Sequence, residues 1–230
     1  MLAAMPRDRR PTGNRLLLAA LLLLVLAALF YALWDRAIAD WAFHLPRSWA
    51  NAARRLSALG EGVYWIVVVF AIGLTGVVRK KEAVAAWALE TVVAITGSGI
   101  AANVLKVVAG RARPRALDEG VWGFHFFEFG YRFNSFPSGH AAIAGAVAAS
   151  ICLAFPAAWP AAAFLWTLLA GGRVLTGSHF VSDVLAGGAV GIAVAVAVSR
   201  SNWLTARLTE LARRMRTAPA AVAPSPVRDE

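Results

Sequence analysis

Residues 16–34 run for 19 positions without a charged side chain, and nothing else in the sequence limits its folding so strongly. At about 1.5 Å of rise per residue, a helix of that length crosses the roughly 30 Å hydrocarbon core of a bilayer. Further apolar runs occupy 62–78, 83–105, 139–158, 159–176 and 180–199, bringing the expected spans to six. In lipid every backbone N–H and C=O must be bonded within its own segment, so the expected fold is an all-α polytopic bundle. With 59% hydrophobic and 16% charged residues, the chain is neither a disordered polymer nor an ordinary soluble domain. A signal peptide is the alternative for the first run, since Arg7, Arg9 and Arg10 precede it and Ala37, Ile38 and Ala39 mimic a cleavage site. The run is long for that purpose. Cys152 has no second cysteine to pair with and reads as a small core residue.

There are 23 Lys and Arg against 13 Asp and Glu, a net charge of +10 that in a soluble chain would point to nucleic acid. Here three basic clusters flank the spans: Arg7, Arg9, Arg10 and Arg15; Arg79, Lys80 and Lys81; and Arg200 with Arg207, Arg213, Arg214, Arg216 and Arg228. An alternating path through six spans puts all three on one side, and the positive-inside rule makes that side cytoplasmic, with both termini there. The expected partner is the bilayer, with no nucleic acid; oligomeric state leaves no mark in the sequence. The chain divides into a cytoplasmic segment 1–15, a membrane bundle 16–199, an amphipathic basic segment 200–216 and a disordered Ala/Pro-rich tail 217–230. Leu45, Trp49, Ala52, Leu56 and Leu59 follow helical spacing in the first outer loop, as do Leu204, Leu208, Leu211 and Met215 near the C-terminus. Each stripe fits either a membrane surface or the flank of the bundle.

Three polar pieces fall on the opposite side. In the first, Lys106 and Arg113 lie seven residues apart where a span ends before Pro114. In the second, Phe136, Pro137, Ser138, Gly139 and His140 precede an apolar helix, with Ser138 as N-cap and the helix N-terminus as an anion site. In the third, Arg173, His179 and Asp183 bridge two spans, and the i, i+4 spacing of His179 and Asp183 puts them one turn apart on one helix face. Hydropathy and loop charge alone set this topology, so the convergence of the three pieces is an independent agreement.

Cations, helix N–H donors, two histidines and one carboxylate suit phosphoryl transfer, in which negative charge spreads over the equatorial oxygens. Arg113 and Arg173 offer bidentate donors and Lys106 a point charge. If Asp183 accepts the Nδ1–H of His179, the Nε2 lone pair is free to attack phosphorus, which makes His179 the expected nucleophile. His140, protonated beside an anionic substrate, is the expected acid for the leaving alkoxide. Two histidines and one engaged carboxylate among so many positive groups make a poor cation cage, so no metal or other cofactor is expected.

These residues resemble the three-part signature of the type 2 phosphatidic-acid phosphatase superfamily, which also contains the vanadium haloperoxidases. Lys106, Arg113 and Pro114 match its Lys-x6-Arg-Pro; Pro137, Ser138, Gly139 and His140 its Pro-Ser-Gly-His; and Arg173, His179 and Asp183 its Ser-Arg-x5-His-x3-Asp. Gly172 stands where the family has serine, which removes one hydroxyl from the donor set. The resemblance implies metal-independent hydrolysis of a lipid phosphomonoester or diphosphate through a phosphohistidine, at the periplasmic end of a bundle in a bacterial inner membrane. It implies Lys106, Arg113, Ser138, Gly139 and Arg173 as phosphate-binding residues. Family precedents for the substrate are undecaprenyl diphosphate, phosphatidylglycerophosphate, phosphatidic acid and lipid A phosphate. The rivals are a lipid phosphotransferase using the same residues and a non-catalytic lipid-binding or transport protein; a small membrane chain does not fit the large soluble haloperoxidases.

Weaker candidates remain. Glu90 is a carboxylate inside the third span, suited to function or to a neighbouring helix. The aromatic loop 115–136 suits a substrate lid or an interface belt. Arg111, Arg115 and Arg132 suit a second head-group site or anchoring. His44 and His125 read as interfacial residues without a catalytic role.

Overall fold

The computed structural model describes residues 9–217, all-helical apart from one isolated bridge between Arg111 and Phe124. The helices are α1 (Arg10–Leu33), α2 (Asp35–Phe43), α3 (Arg47–Ala58), α4 (Gly62–Val78), α5 (Glu82–Ala109), α6 (Gly139–Ala154), α7 (Trp159–Leu175), α8 (Val181–Arg200) and α9 (Asn202–Thr217). The long connection 110–138 carries two short 3₁₀ turns. Arg7, Arg228 and all of the expected tail but Thr217 lie outside the described residues.

Four helices, α1, α5, α7 with the turn before it, and α8, are long and apolar enough to cross a membrane. The count becomes five if α3 and α4, bent by 41° at their junction, form one span. The fourth expected span, 139–158, is shorter than its apolar run. α6 stops at Ala154 because Pro156 forces Phe155 out of helical geometry, to φ −136° and ψ 81°. On α1 the large side chains of Leu18, Leu21, Leu22 and Leu33 are exposed, as are Val63, Val67 and Phe70 on α4. Only an apolar solvent suits such surfaces.

The centre of the bundle is α6 packed on α8, flanked by α1, α5 and α7. Small residues allow the approach: a Cβ on Gly191 would stand 1.9 Å from the Ala142 carbonyl oxygen, and one on Gly187 2.4 Å from that of Ser138. Without a hydrophobic driving force between helices in lipid, such backbone contact is what holds a pair together. It also brings the N-terminus of α6 against the first turns of α8. α5 ends at Gly110, whose left-handed φ of +55° turns the chain into the connection. α3 covers most of the stripe 45–59 and α9 the stripe 204–215, so both stretches are helical.

Candidate active site

The three polar pieces meet at one end of the bundle. Lys106 lies in the last turn of α5, and its Nζ stands 3.7 Å from where a Cβ on Gly139 would be, at the mouth of α6. Ser138 is the N-cap of α6, its Oγ accepting from the Ala141 N–H at 3.5 Å, while its own N–H donates to the Asp183 carbonyl at 2.9 Å. That second bond ties the α6 mouth directly to α8. Arg173 ends α7. His140 has Arg173, His179, Lys106 and Arg113 as its titratable neighbours.

Arg113 lies beyond the end of α5, not on its continuation, and is nearly buried. Its Nε donates to Asn134 Oδ1 and the Tyr131 carbonyl, both at 2.9 Å; Nη1 donates to the Ser178 carbonyl at 3.1 Å; and the Tyr131 ring covers its Cζ at 3.9 Å. Nη2 donates to Asn134 Oδ1 at 2.6 Å. Burial presses this guanidinium below its ordinary value, with Arg173 and Arg115 adding repulsion, while Tyr131 and Asp183 oppose the shift. Arg173 Nε is buried and has no hydrogen-bond partner among the described residues, which marks a place for an incoming acceptor.

His179 is 2% exposed, and its ring nitrogen Nδ1 lies 2.7 Å from the Ser135 carbonyl oxygen. A carbonyl can only accept, so the proton is on Nδ1 and Nε2 is the bare lone pair. Asp183 Oδ2 is 3.8 Å from Nδ1, an electrostatic distance and not a hydrogen bond. The expected direct bond is thus corrected: α8 begins at Val181, so His179 precedes the helix and the i, i+4 spacing does not place the pair on one helical face. Asp183 instead accepts from the Phe180 N–H at 2.9 Å and the Ser135 hydroxyl at 2.6 Å, and pairs with Arg111. Burial, strengthened by Arg113 and Arg173 and opposed by Asp183, pushes the His179 imidazolium down to about 4. At neutral pH His179 is a neutral imidazole.

A family model described as the PAP2 superfamily matches residues 87–207, more than half of the sequence, and spans all three pieces. The chain belongs to the PAP2 superfamily. The lipid A 1-phosphatase of Rhizobium etli is 43% identical over 97 residues, 41% of this chain and 41% of that protein. Its counterpart in Rhizobium johnstonii is 43% identical over 97 residues, 41% and 39% of the two chains. The match spans about two-fifths of the length of these relatives. The fold is similar to that of a transmembrane PAP2 type phosphatidylglycerolphosphate phosphatase from Bacillus subtilis, with a TM-score of 0.59 and 23% identity over 81% of this chain and 94% of that one. The apolar helices and that transmembrane fold together make this PAP2 protein a membrane protein.

Three details of this PAP2 chain depart from expectation. A Cβ on Gly172 would meet the Ala53 carbonyl at 3.0 Å and Ser57 Cβ at 3.1 Å, so a serine there would face α3. Its absence lets α3 pack closely. Arg111 is neither anchor nor head-group site: it is fully buried, with Nη2 donating to Asp35 Oδ2 at 2.7 Å and Nη1 to Ser182 Oγ at 2.6 Å. The aromatic loop is split: Trp122 and Phe124 pack around Arg111, while Phe126, Phe127, Phe129 and Tyr131 are exposed. Glu90 pairs with Arg9, Arg132 with Glu119 at 2.6 Å, and His125 Nε2 lies 3.3 Å from the Trp122 carbonyl. Sequence reasoning missed Asp35, Asn134 and Ser135. Only Asp35 had a signal, as the carboxylate that ends the first uncharged run.

Proposed function

We propose that this PAP2 protein is a lipid phosphatase that hydrolyses a lipid phosphomonoester or diphosphate through a phosphohistidine on His179, without a metal. One observation carries the reading. A buried, neutral imidazole has its Nδ1–H held by the Ser135 carbonyl and its Nε2 unclaimed among the described residues, inside a ring of Lys106, Arg113 and Arg173. In the first step the Nε2 lone pair attacks phosphorus, the P–O bond to the lipid breaks with its electrons going to the lipid oxygen, and His140 protonates that oxygen. His140 stands among the same cations, so its proton arrives with the anionic substrate. In the second step water attacks phosphorus, His140 takes the proton, and the P–N bond breaks to return the lone pair to His179. Ser138, Gly139 and the three cations hold the equatorial oxygens throughout. The carboxylate of Asp183 is engaged by Arg111, Ser135 and the Phe180 N–H, which leaves it little capacity for a cation.

The expected setting is a bacterial inner membrane crossed six times, with α6 as a short sixth span, both termini cytoplasmic and the site on the periplasmic side. The basic clusters support this orientation. Arg9 and Glu90 meet, as do Arg200 and Asn14, which puts the start of α1, the first turns of α5 and the end of α8 opposite the site. The relatives named lipid A 1-phosphatase put lipid A 1-phosphate first among the substrates to be tried, ahead of phosphatidylglycerophosphate, phosphatidic acid and undecaprenyl diphosphate.

The test is phosphate release by the purified full chain from those four lipids, with chelator present and His179→Ala as control. Release that survives chelation and is lost in the variant supports the reading; activity retained by the variant, or abolished by chelator, overturns it. With a radiolabelled donor and an unlabelled acceptor lipid, labelled inorganic phosphate marks hydrolysis and labelled acceptor marks transfer.

A further inference from the structure

Two fully buried charges, Asp35 and Arg111, have no part in binding phosphate. Asp35 opens α2, directly after the break that follows α1, and 147 positions later the Ser182 N–H donates to its Oδ1 at 3.1 Å. Arg111 lies between that carboxylate and Asp183, one guanidinium nitrogen on each. The rings of Phe180, Tyr31, Phe124 and Trp122 surround its Cζ at 4.5, 4.9, 5.3 and 5.4 Å, so water does not screen the arrangement. A desolvated pair of this kind is a poor source of stability, because apolar side chains of equal volume fill such a space as well. Its value lies in what it orients.

The contacts run on to the nucleophile. Asp183, fixed by Arg111, accepts the Ser135 hydroxyl at 2.6 Å; the Ser135 N–H donates to the Arg111 carbonyl at 3.1 Å; and the Ser135 carbonyl takes the Nδ1–H of His179. Ser135 is thereby clamped by its side chain, its N–H and its C=O, and the last of these sets the tautomer and ring plane of the histidine. We infer that Asp35 and Arg111 are positioning residues that act on His179 through Asp183 and Ser135. This rests on His179 being the nucleophile.

The inference has an electrostatic consequence. The charged and titratable groups facing His179 are Asp183 from α8, Arg113 from the connection, Arg173 from α7 and His140 from α6, with Lys106 of α5 at the same pocket. Asp183 alone among them favours protonation of His179, and Arg111 offsets its charge. Without Arg111 the imidazole becomes more basic. Neutralising Asp35 has the opposite sign, since Arg111 then belongs to Asp183 alone.

The test uses the purified full chain, dioctanoyl phosphatidic acid as probe, and a ¹⁵N titration of His179 that does not depend on turnover. For Arg111→Gln the acid limb of kcat/KM should rise from about pH 4 to about pH 6, making the ratio of activity at pH 5 to that at pH 7.5 roughly tenfold lower than in the wild type. The ¹⁵N titration should move with it, and Arg111→Lys should bring both back most of the way. Asp35→Asn should lower kcat about tenfold at unchanged KM, with the limb at or below its wild-type position. An Arg111→Gln enzyme with a lower plateau and an unmoved limb and titration would make Arg111 merely structural and overturn the inference. If Arg111→Gln does not fold, Asp35→Asn decides: a limb shifted upward, or kcat unchanged, overturns it. An inactive wild type would sink the phosphatase reading instead, and the ¹⁵N titrations would still judge the positioning.

Discussion

The two ends of the bundle handle buried charge in opposite ways. Beside the basic clusters one cation meets one anion: Arg9 pairs with Glu90, at 22% and 7% side-chain exposure, next to a small cavity lined also by Thr91, Ser150 and Ser199. At the other end Lys106, Arg113 and Arg173 surround a pocket whose nearby carboxylates are Asp183, already claimed by Arg111, and Glu61, which faces Arg173. Where charges cancel, the protein is holding itself together. Where cations outnumber anions away from water, the proposed function assigns the missing negative charge to a phosphate ligand.

The hardest blow to that contrast is dealt at the proposed nucleophile. His179→Ala should lower kcat by at least about a thousandfold with the helical signal in circular dichroism unchanged, since the ring makes its hydrogen bond to a loop carbonyl and not within the bundle. Next come the cations. Arg173→Ala and Lys106→Met should each lower kcat/KM by roughly a hundredfold to a thousandfold, the range seen when a fixed transition-state donor is lost. If either variant instead lost thermal stability and kept its activity, the surplus charge would be structural and the contrast would fall.

The histidine also makes the active end sensitive to acid in a predictable direction. Its folded-state value of about 4 lies below the ordinary 6.5, so between those values the unfolded chain holds a proton that the folded chain lacks. Stability is therefore full above about pH 6.5 and falls as pH drops toward 4, by roughly 3 kcal/mol in total if nothing else titrates. Thermal unfolding of the wild type and His179→Gln between pH 4 and 7 should show a steeper loss for the wild type. Parallel curves would mean that His179 is not buried as a neutral ring.

Much of this was written in the sequence, and what was not has a common cause. The run 62–78 is α4 residue for residue, because an unbroken apolar run is a local signal that hydropathy reads directly. The signature residues Lys106, Arg113, His140, Arg173 and His179 do converge, because each lies within a few residues of a helix end and helix ends meet in a bundle. Hydropathy does not register the missing N–H of Pro156, and so the fourth run was drawn past Ala154. Spacing could not show that α8 starts at Val181, which makes the His179 to Asp183 contact one across a helix start. The partners of Arg111 lie 76 and 72 positions away, and no local pattern joins residues that only the packing of α2 and α8 against the connection brings together.

The smallest expected effect is on the other end. Glu90→Gln leaves Arg9 without its anion, but Arg9 is partly exposed and can turn toward water, so the cost is that of a half-buried pair, about 1 kcal/mol. The apparent Tm in detergent should fall by a few degrees, while kcat and KM stay within about twofold, because Arg9 and Glu90 touch nothing in the phosphate pocket. Arg9→Ala should lower the Tm further, since it strands a carboxylate that is only 7% exposed. A Glu90→Gln enzyme with normal stability and a tenfold loss of kcat would show that the two ends are coupled, and the division between self-pairing and ligand-seeking charge would have to be redrawn around a carboxylate inside the membrane.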